Sequence, residues 1–212
     1  MNYKRTMVKV CGLTCREDID FAVELGVDGL GFILAKSARK VELETVKELS
    51  HNLPPFIDII AVVVNPQPKK IEEIIESGLF NYIQLHGSED PEMIKKIPLK
   101  TIKAISIEGA EDLKKIAKYQ TAADFLLFDT KIGSQIGGTG QSFDWSLIED
   151  SGQNNNYILA GGLGADNIEL ALKELAPAAV DINSQVESSP GKKDHKLLKE
   201  TVEIIKNFNF DS

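Results

Sequence analysis

Short apolar runs and longer amphipathic stretches alternate along the whole chain. The β-rich runs lie at Met7–Cys11, Gly29–Leu34, Ile57–Val64, Tyr82–Leu85, Leu99–Ile105, Phe125–Phe128, Tyr157–Ala160 and Ala179–Ile182. Each is short enough for a buried strand and rich in Val, Ile, Leu or Phe. Each precedes a segment of helical character: Glu17–Leu25, Glu44–Asn52, Lys69–Glu76, Pro91–Lys96, Ala110–Lys118, Trp145–Glu149, Asn167–Leu175 and Lys196–Phe208. Local signals agree with these boundaries. Asp90 before Pro91 reads as a helix cap followed by a first-turn proline, and Gly26 and Gly78 stand where helices should stop. Thr14 and Glu17 have the spacing of a capping box for the first helix.

Strands alternating with helices predict a parallel sheet. Eight such units in 212 residues, at about 25 residues each, predict a single (β/α)8 barrel domain over residues 1–212. An open doubly wound sheet is the alternative. It would carry Gly-x-Gly-x-x-Gly after the first strand, where this chain has Cys11-Gly12-Leu13-Thr14. Gly161-Gly162-Leu163-Gly164 resembles such a turn only weakly and comes late.

Alternate residues of a barrel strand point inward. Lys9 and Cys11 therefore share a direction, as do Asp181 and Asn183 on strand eight, which neighbours strand one when the barrel closes. An unpaired lysine inside a barrel is very costly, so a Lys9–Asp181 pair is expected beneath Cys11. Such a cation would also tend to lower the thiol pKa.

Charge narrows the partners. A net charge of −8 speaks against nucleic acid, which needs a basic face. It leaves room for a small phosphorylated substrate held by backbone N–H groups. No run approaches the length of a membrane span, and the start of the chain lacks a signal-peptide core, so a cytoplasmic location is expected. Cys11 and Cys15 are too few for a disulfide scaffold. No histidine, cysteine and acid spacing suggests a metal, and no cofactor is expected.

Four loop regions at the carboxyl ends of strands carry unusual chemistry. Cys11 is either a reactive thiol at a strand end or an inert core thiol. Arg39, in the loop after strand two, is either an anchor for a substrate carboxylate or a solvated loop arginine. Asp129 follows the apolar run Phe125–Phe128. Partial desolvation would raise its pKa and suit it to donate a proton; a helix cap or a partner for Lys131 is the alternative. Gly161 and Gly162 after strand seven, with Asn183 and Ser184 after strand eight, read as a phosphate cradle at the place where barrels often bind one. Gly140 is a further candidate contact from the loop after strand six. His86 ends strand four and reads as a packing or hydrogen-bonding residue, and His51 and His195 read as surface residues.

Taken together, Lys9-Val10-Cys11-Gly12-Leu13-Thr14, Gln84-Leu85-His86-Gly87, Gly137-Gly138-Thr139-Gly140 followed by Phe143-Asp144-Trp145, Ala160-Gly161-Gly162-Leu163 and Gly191-Lys192-Lys193-Asp194 closely resemble the phosphoribosylanthranilate isomerase family over the whole chain. The resemblance implies a cofactor-free Amadori rearrangement in tryptophan biosynthesis. It implies Cys11 as general base, Asp129 as general acid and Arg39 facing the anthranilate carboxylate. Many relatives carry Ser-Ser-Gly after strand eight, where this chain has Asn183-Ser184-Gln185, a change that would reshape the phosphate pocket. Among rivals, a metal-dependent sugar-phosphate epimerase would need ligands on its strands, and indole-glycerol-phosphate synthase would need catalytic lysines. A barrel that only binds a phosphorylated metabolite or a partner protein would not need both Cys11 and Asp129. Monomer and homodimer are both compatible with the fold.

Overall fold

The computed structural model describes residues 5–130, 148 and 156–210. Eight strands, β1 (Met7–Cys11), β2 (Gly29–Ile33), β3 (Asp58–Val63), β4 (Tyr82–Leu85), β5 (Lys100–Ile107), β6 (Phe125–Thr130), β7 (Ile158–Ala160) and β8 (Ala179–Ile182), form a closed parallel barrel in sequence order. β8 pairs with β1 to close it, with Lys9 opposite Asp181. Around it stand α1 (Arg16–Glu24), α2 (Leu43–Leu49), α3 (Pro68–Glu76), α4 (Pro91–Ile94), α5 (Leu113–Tyr119), α6 (Ile168–Leu175) and α7 (His195–Asn207). The expected helix Trp145–Glu149 lies outside the described residues apart from Ile148.

The alternation along each strand splits the apolar residues into two cores. The larger one lies between barrel and helices, where outward residues such as Val8, Val10, Leu30 and Phe32 meet Ile19, Ile74, Leu172 and Leu198. The smaller one fills the barrel and gathers Cys11, Ile60, Val62, Ile102, Ala104, Leu127 and Ala160. Full burial of each large aliphatic side chain contributes roughly 1.5–3 kcal/mol. Glycine on β2 makes room within the barrel. A Cβ at Gly31 would lie 2.9 Å from the Cys11 sulfur and 3.1 Å from Lys9 Cε.

Local signals hold in most places. Asp90 accepts from Glu92 N–H at the start of α4, and Gly26 and Gly78 have φ of 69° and 62°, the left-handed region that ends helices. The capping box at Thr14 does not form. Cys15 is the N-cap residue of α1 and makes no side-chain cap, because the Thr14 hydroxyl donates instead to the carbonyl of Gly191. That carbonyl belongs to a feature absent from the expected pattern. After the 3-10 turn Ser184–Val186, β9 (Glu187–Ser189) and β10 (Lys192–Lys193) form a small antiparallel hairpin. The buried carboxylate of Asp18 in α1 ties down its far end by accepting from Lys193 N–H at 2.8 Å. β6 also runs two residues beyond its expected end, because its ladder to β5 continues through Ser106–Asp129 and Ile107–Thr130.

Candidate active site

Cys11 closes β1 on the inward side, directly above Lys9. As expected, Lys9 Nζ lies 2.7 Å from Asp181 Oδ2, and both side chains are buried. Burial alone would lower the Lys9 pKa, but Asp181 and Cys11 outweigh it and the net shift is upward. For Cys11 the balance runs the other way. Burial pushes the thiol up, and the pull of Lys9 does not offset it. The expected influence of the cation is therefore present, but it does not overcome burial. Gly12 follows with φ of 74°. A Cβ there would come within 2.7 Å of both Arg39 Cδ and Asn183 Oδ1. Glycine at this turn thus lets the loops after β2 and β8 lean over the turn that carries Cys11.

Arg39 is neither a solvated loop residue nor a free anchor. Its Nε donates to Glu187 Oε1 at 2.8 Å, and its Nη2 donates to Glu187 Oε2. Glu187 is 3% exposed and also meets Lys193 Nζ at 3.0 Å, the Lys193 side chain being fully buried. Lys193 in turn donates to Asn183 Oδ1 at 3.0 Å. Burial would raise the Glu187 pKa, but Arg39 and Lys193 hold it below the usual carboxylate range. Lys193 is pulled below the ordinary lysine value by burial, against the attraction of Glu187. Nε and Nη2 of the Arg39 fork are thus spent on fixing its own position. Sequence reasoning missed Glu187, since no local pattern marks it. Lys193 lies in the Gly191-Lys192-Lys193-Asp194 motif, which by itself assigns it no role.

Asp129 lies two residues beyond Leu127, whose side chain is in the barrel core, so it shares that inward direction. It is half-buried, and its Oδ2 sits 3.2 Å from His86 Nε2. The hydrogen-bonding reading of His86 therefore holds, and its partner is the candidate acid. His195 is less of a bare surface residue than expected. Its ring stacks on Phe21 at 4.1 Å, and its Nε2 lies 2.8 Å from Asp18.

Gly161 and Gly162 have φ of 103° and 67°, values that L side chains adopt only with strain. The Asn167 side chain fixes this turn, accepting from Gly164 N–H and donating to the Gly162 carbonyl. β7 pairs with β8, so the turn adjoins Asn183 and the exposed Ser184. Gln185 packs against it, with its Cβ 2.8 Å from where a Gly164 Cβ would stand. Gly140 and Lys131 lie outside the described residues. Cys11 and Cys15 are both free thiols. Among the described residues no group of three or more His, Cys, Asp or Glu side chains is placed to hold a metal ion. Likewise, no helix is long and apolar enough to cross a membrane.

Residues 8–204 match the family model for N-(5′-phosphoribosyl)anthranilate (PRA) isomerase. The N-(5′-phosphoribosyl)anthranilate isomerase of Petrotoga mobilis is 53% identical over 198 residues, which cover 93% of this chain and 96% of that protein. Among solved structures, a phosphoribosyl anthranilate isomerase in complex with reduced 1-(o-carboxyphenylamino)-1-deoxyribulose 5-phosphate superposes with a TM-score of 0.84 at 35% identity, covering 96% of this chain and all of that one. Monomers generated from the dimeric isomerase of Thermotoga maritima give a TM-score of 0.83 at 34% identity, with the same coverage.

Proposed function

Because the chain belongs to the N-(5′-phosphoribosyl)anthranilate isomerase family, we propose that Cys11 and Asp129 are the base and acid of its reaction. The protein is an isomerase of tryptophan biosynthesis. It converts N-(5-phospho-β-D-ribosyl)anthranilate into 1-(2-carboxyphenylamino)-1-deoxy-D-ribulose 5-phosphate. The observation that carries the assignment is geometric: a thiol and a carboxyl group occupy inward positions at the carboxyl ends of β1 and β6 of one closed barrel.

Asp129 protonates the ribose ring oxygen, the C1′–O bond breaks, and the nitrogen lone pair forms an iminium. The iminium acidifies the C2′ proton. Cys11 removes it as thiolate, and the electron pair neutralises the nitrogen to give an enolamine. Proton transfer from the C2′ hydroxyl to C1′ then yields the ketone. Lys9 and the iminium both favour the ionised sulfur against the burial that opposes it. Acid–base steps of this kind contribute about 10²–10⁴-fold each. Orientation supplies more, through two handles. Arg39, steadied by Glu187, faces the anthranilate carboxylate, and Gly161, Gly162, Asn183, Ser184 and Gly140 surround the phosphate.

We assign residues 1–212 to one cytoplasmic domain that binds no nucleic acid. A homodimer is favoured over a monomer. Phe56 is 99% exposed and lies two residues before β3, at the amino-terminal end of the barrel. That end opens into a cavity of about 470 Å³ lined by Met7, Gly29, Ile60, Tyr82 and Phe125 among others. A second copy would cover this apolar face, in keeping with the dimeric relative from Thermotoga maritima.

The activity is tested by adding the purified protein to N-(5-phosphoribosyl)anthranilate and following anthranilate-type fluorescence. Consumption of the signal with formation of the carboxyphenylamino ketose is expected. A signal that decays no faster than without protein would refute the assignment.

A further inference from the structure

His86 stands just past β4, and its ring joins two groups. Nε2 lies 3.2 Å from Asp129 Oδ2, and Nδ1 lies 3.4 Å from the side-chain nitrogen of Gln84. An amide NH2 group can only donate. With that nitrogen toward the ring, Nδ1 accepts, which is the tautomer that carries its proton on Nε2 and donates it to Asp129. Gln84 is buried, and this orientation leaves its Oε1 with no hydrogen-bond partner among the described residues. Turning the amide over would offer that oxygen to Nδ1, which would then need a proton, and a neutral ring would leave Nε2 without one.

The peptide on either side of His86 is clamped. Lys103 faces outward from β5, 1% exposed, and donates to the Leu85 carbonyl at 3.1 Å and the Gly87 carbonyl at 2.8 Å. Glu89, equally buried and 3.1 Å from Lys103, accepts from Gly87 N–H at 2.9 and 3.0 Å. A buried ion pair adds little stability over apolar packing. This one holds the peptides on both sides of His86, and it also takes Asn65 N–H on Glu89 and gives to the Ala104 carbonyl from Lys103.

We propose that His86 is a positioning residue for proton transfer at Asp129, and that the Lys103–Glu89 pair aims it. The proposal rests on reading Asp129 as the general acid. With Nε2–H on Oδ2, the acid proton is confined to Oδ1. When Oδ1 gives that proton to the substrate, the carboxyl group becomes a carboxylate and the bond from Nε2–H becomes charge-assisted and stronger. The gain arises as the proton leaves, not when substrate binds, so it acts on kcat and spares KM.

Three variants test this on the full-length protein: His86→Ala, His86→Gln and Asp129→Asn. His86→Ala should lower kcat about 10- to 100-fold, as expected for loss of a charge-assisted bond, with KM held within about twofold. His86→Gln, whose amide nitrogen reaches toward the Nε2 position, should recover most of the loss, which a purely structural role would not give. If Asp129→Asn is inactive while His86→Ala keeps kcat within about twofold of wild type, the inference falls and the acid assignment stands. A rise in KM that accounts for the whole loss in His86→Ala also overturns it. Near-normal turnover in Asp129→Asn would instead remove the acid assignment beneath it.

Discussion

Lys9 Nζ and Asp181 Oδ2 meet at 2.7 Å inside the barrel, joining the first strand to the eighth at the point where the ring of strands closes. Both side chains are buried, and Asp181 Oδ1 has no hydrogen-bond partner among the described residues. Lys9→Met should therefore destabilise the protein by about 3–5 kcal/mol, since it leaves a buried carboxylate uncompensated. Lys9→Met combined with Asp181→Leu should recover most of that loss. Urea unfolding of the two variants checks the expectation, and equal losses in both would contradict it.

Burial outweighs Lys9 at the Cys11 thiol and raises its pKa. In a Cys15→Ser background, the rate of Cys11 alkylation by iodoacetamide should climb with pH to a midpoint above the ordinary value of about 8.5 for free cysteine. Lys9→Met should move the midpoint higher still. A midpoint below 8.5 in the Lys9-containing protein would mean that the cation dominates.

Glu187 holds Arg39 by two of its nitrogens and shares Lys193. Glu187→Gln should raise KM on the order of tenfold, through lost orientation of Arg39, with a smaller effect on kcat. A second readout follows from the depressed Glu187 pKa. A carboxylate of this kind contributes stability above its unfolded value of about 4.3, and that stability is lost as pH falls through the lower folded value. The stability gap between wild type and Glu187→Gln should thus be full at neutral pH and shrink below about pH 4. A gap that does not change with pH would argue against a charged Glu187.

Phe56 leaves an aromatic ring almost wholly in solvent, two residues before β3 at the end of the barrel where the apolar cavity opens. Phe56→Asp should shift sedimentation of the protein from dimer to monomer while turnover persists. A wild-type protein that sediments as a monomer at tens of micromolar would remove the dimer proposal.

The barrel was legible in the sequence because its strands are apolar on both faces and its helices on one. The observed ends of β1, β4 and β8 coincide with the runs of Val, Ile and Leu that predict them. The Lys9–Asp181 pair was legible for the same reason: strand periodicity fixes direction, and closure of the barrel fixes the neighbour. The β9–β10 hairpin was not. Glu187–Ser189 and Lys192–Lys193 are too short and polar to show a strand period, and what stabilises them is tertiary, through Asp18, Thr14 and Arg39. Thr14 shows the limit of local rules. Its spacing to Glu17 fits a capping box, yet a carbonyl 177 residues away takes its hydroxyl. The contact of His86 with Asp129, 43 residues on, likewise depends on β4 and β6 being brought to the same cavity.

We propose that one sulfur base and one carboxyl acid carry the chemistry while other groups hold the substrate. The most direct test measures turnover and ligand affinity together in Cys11→Ser and Asp129→Asn. Each variant should lose about 10²–10⁴-fold in kcat, yet bind reduced 1-(o-carboxyphenylamino)-1-deoxyribulose 5-phosphate within a few fold of wild type by calorimetry. Retention of turnover within about tenfold in either variant, with binding intact, would contradict the account.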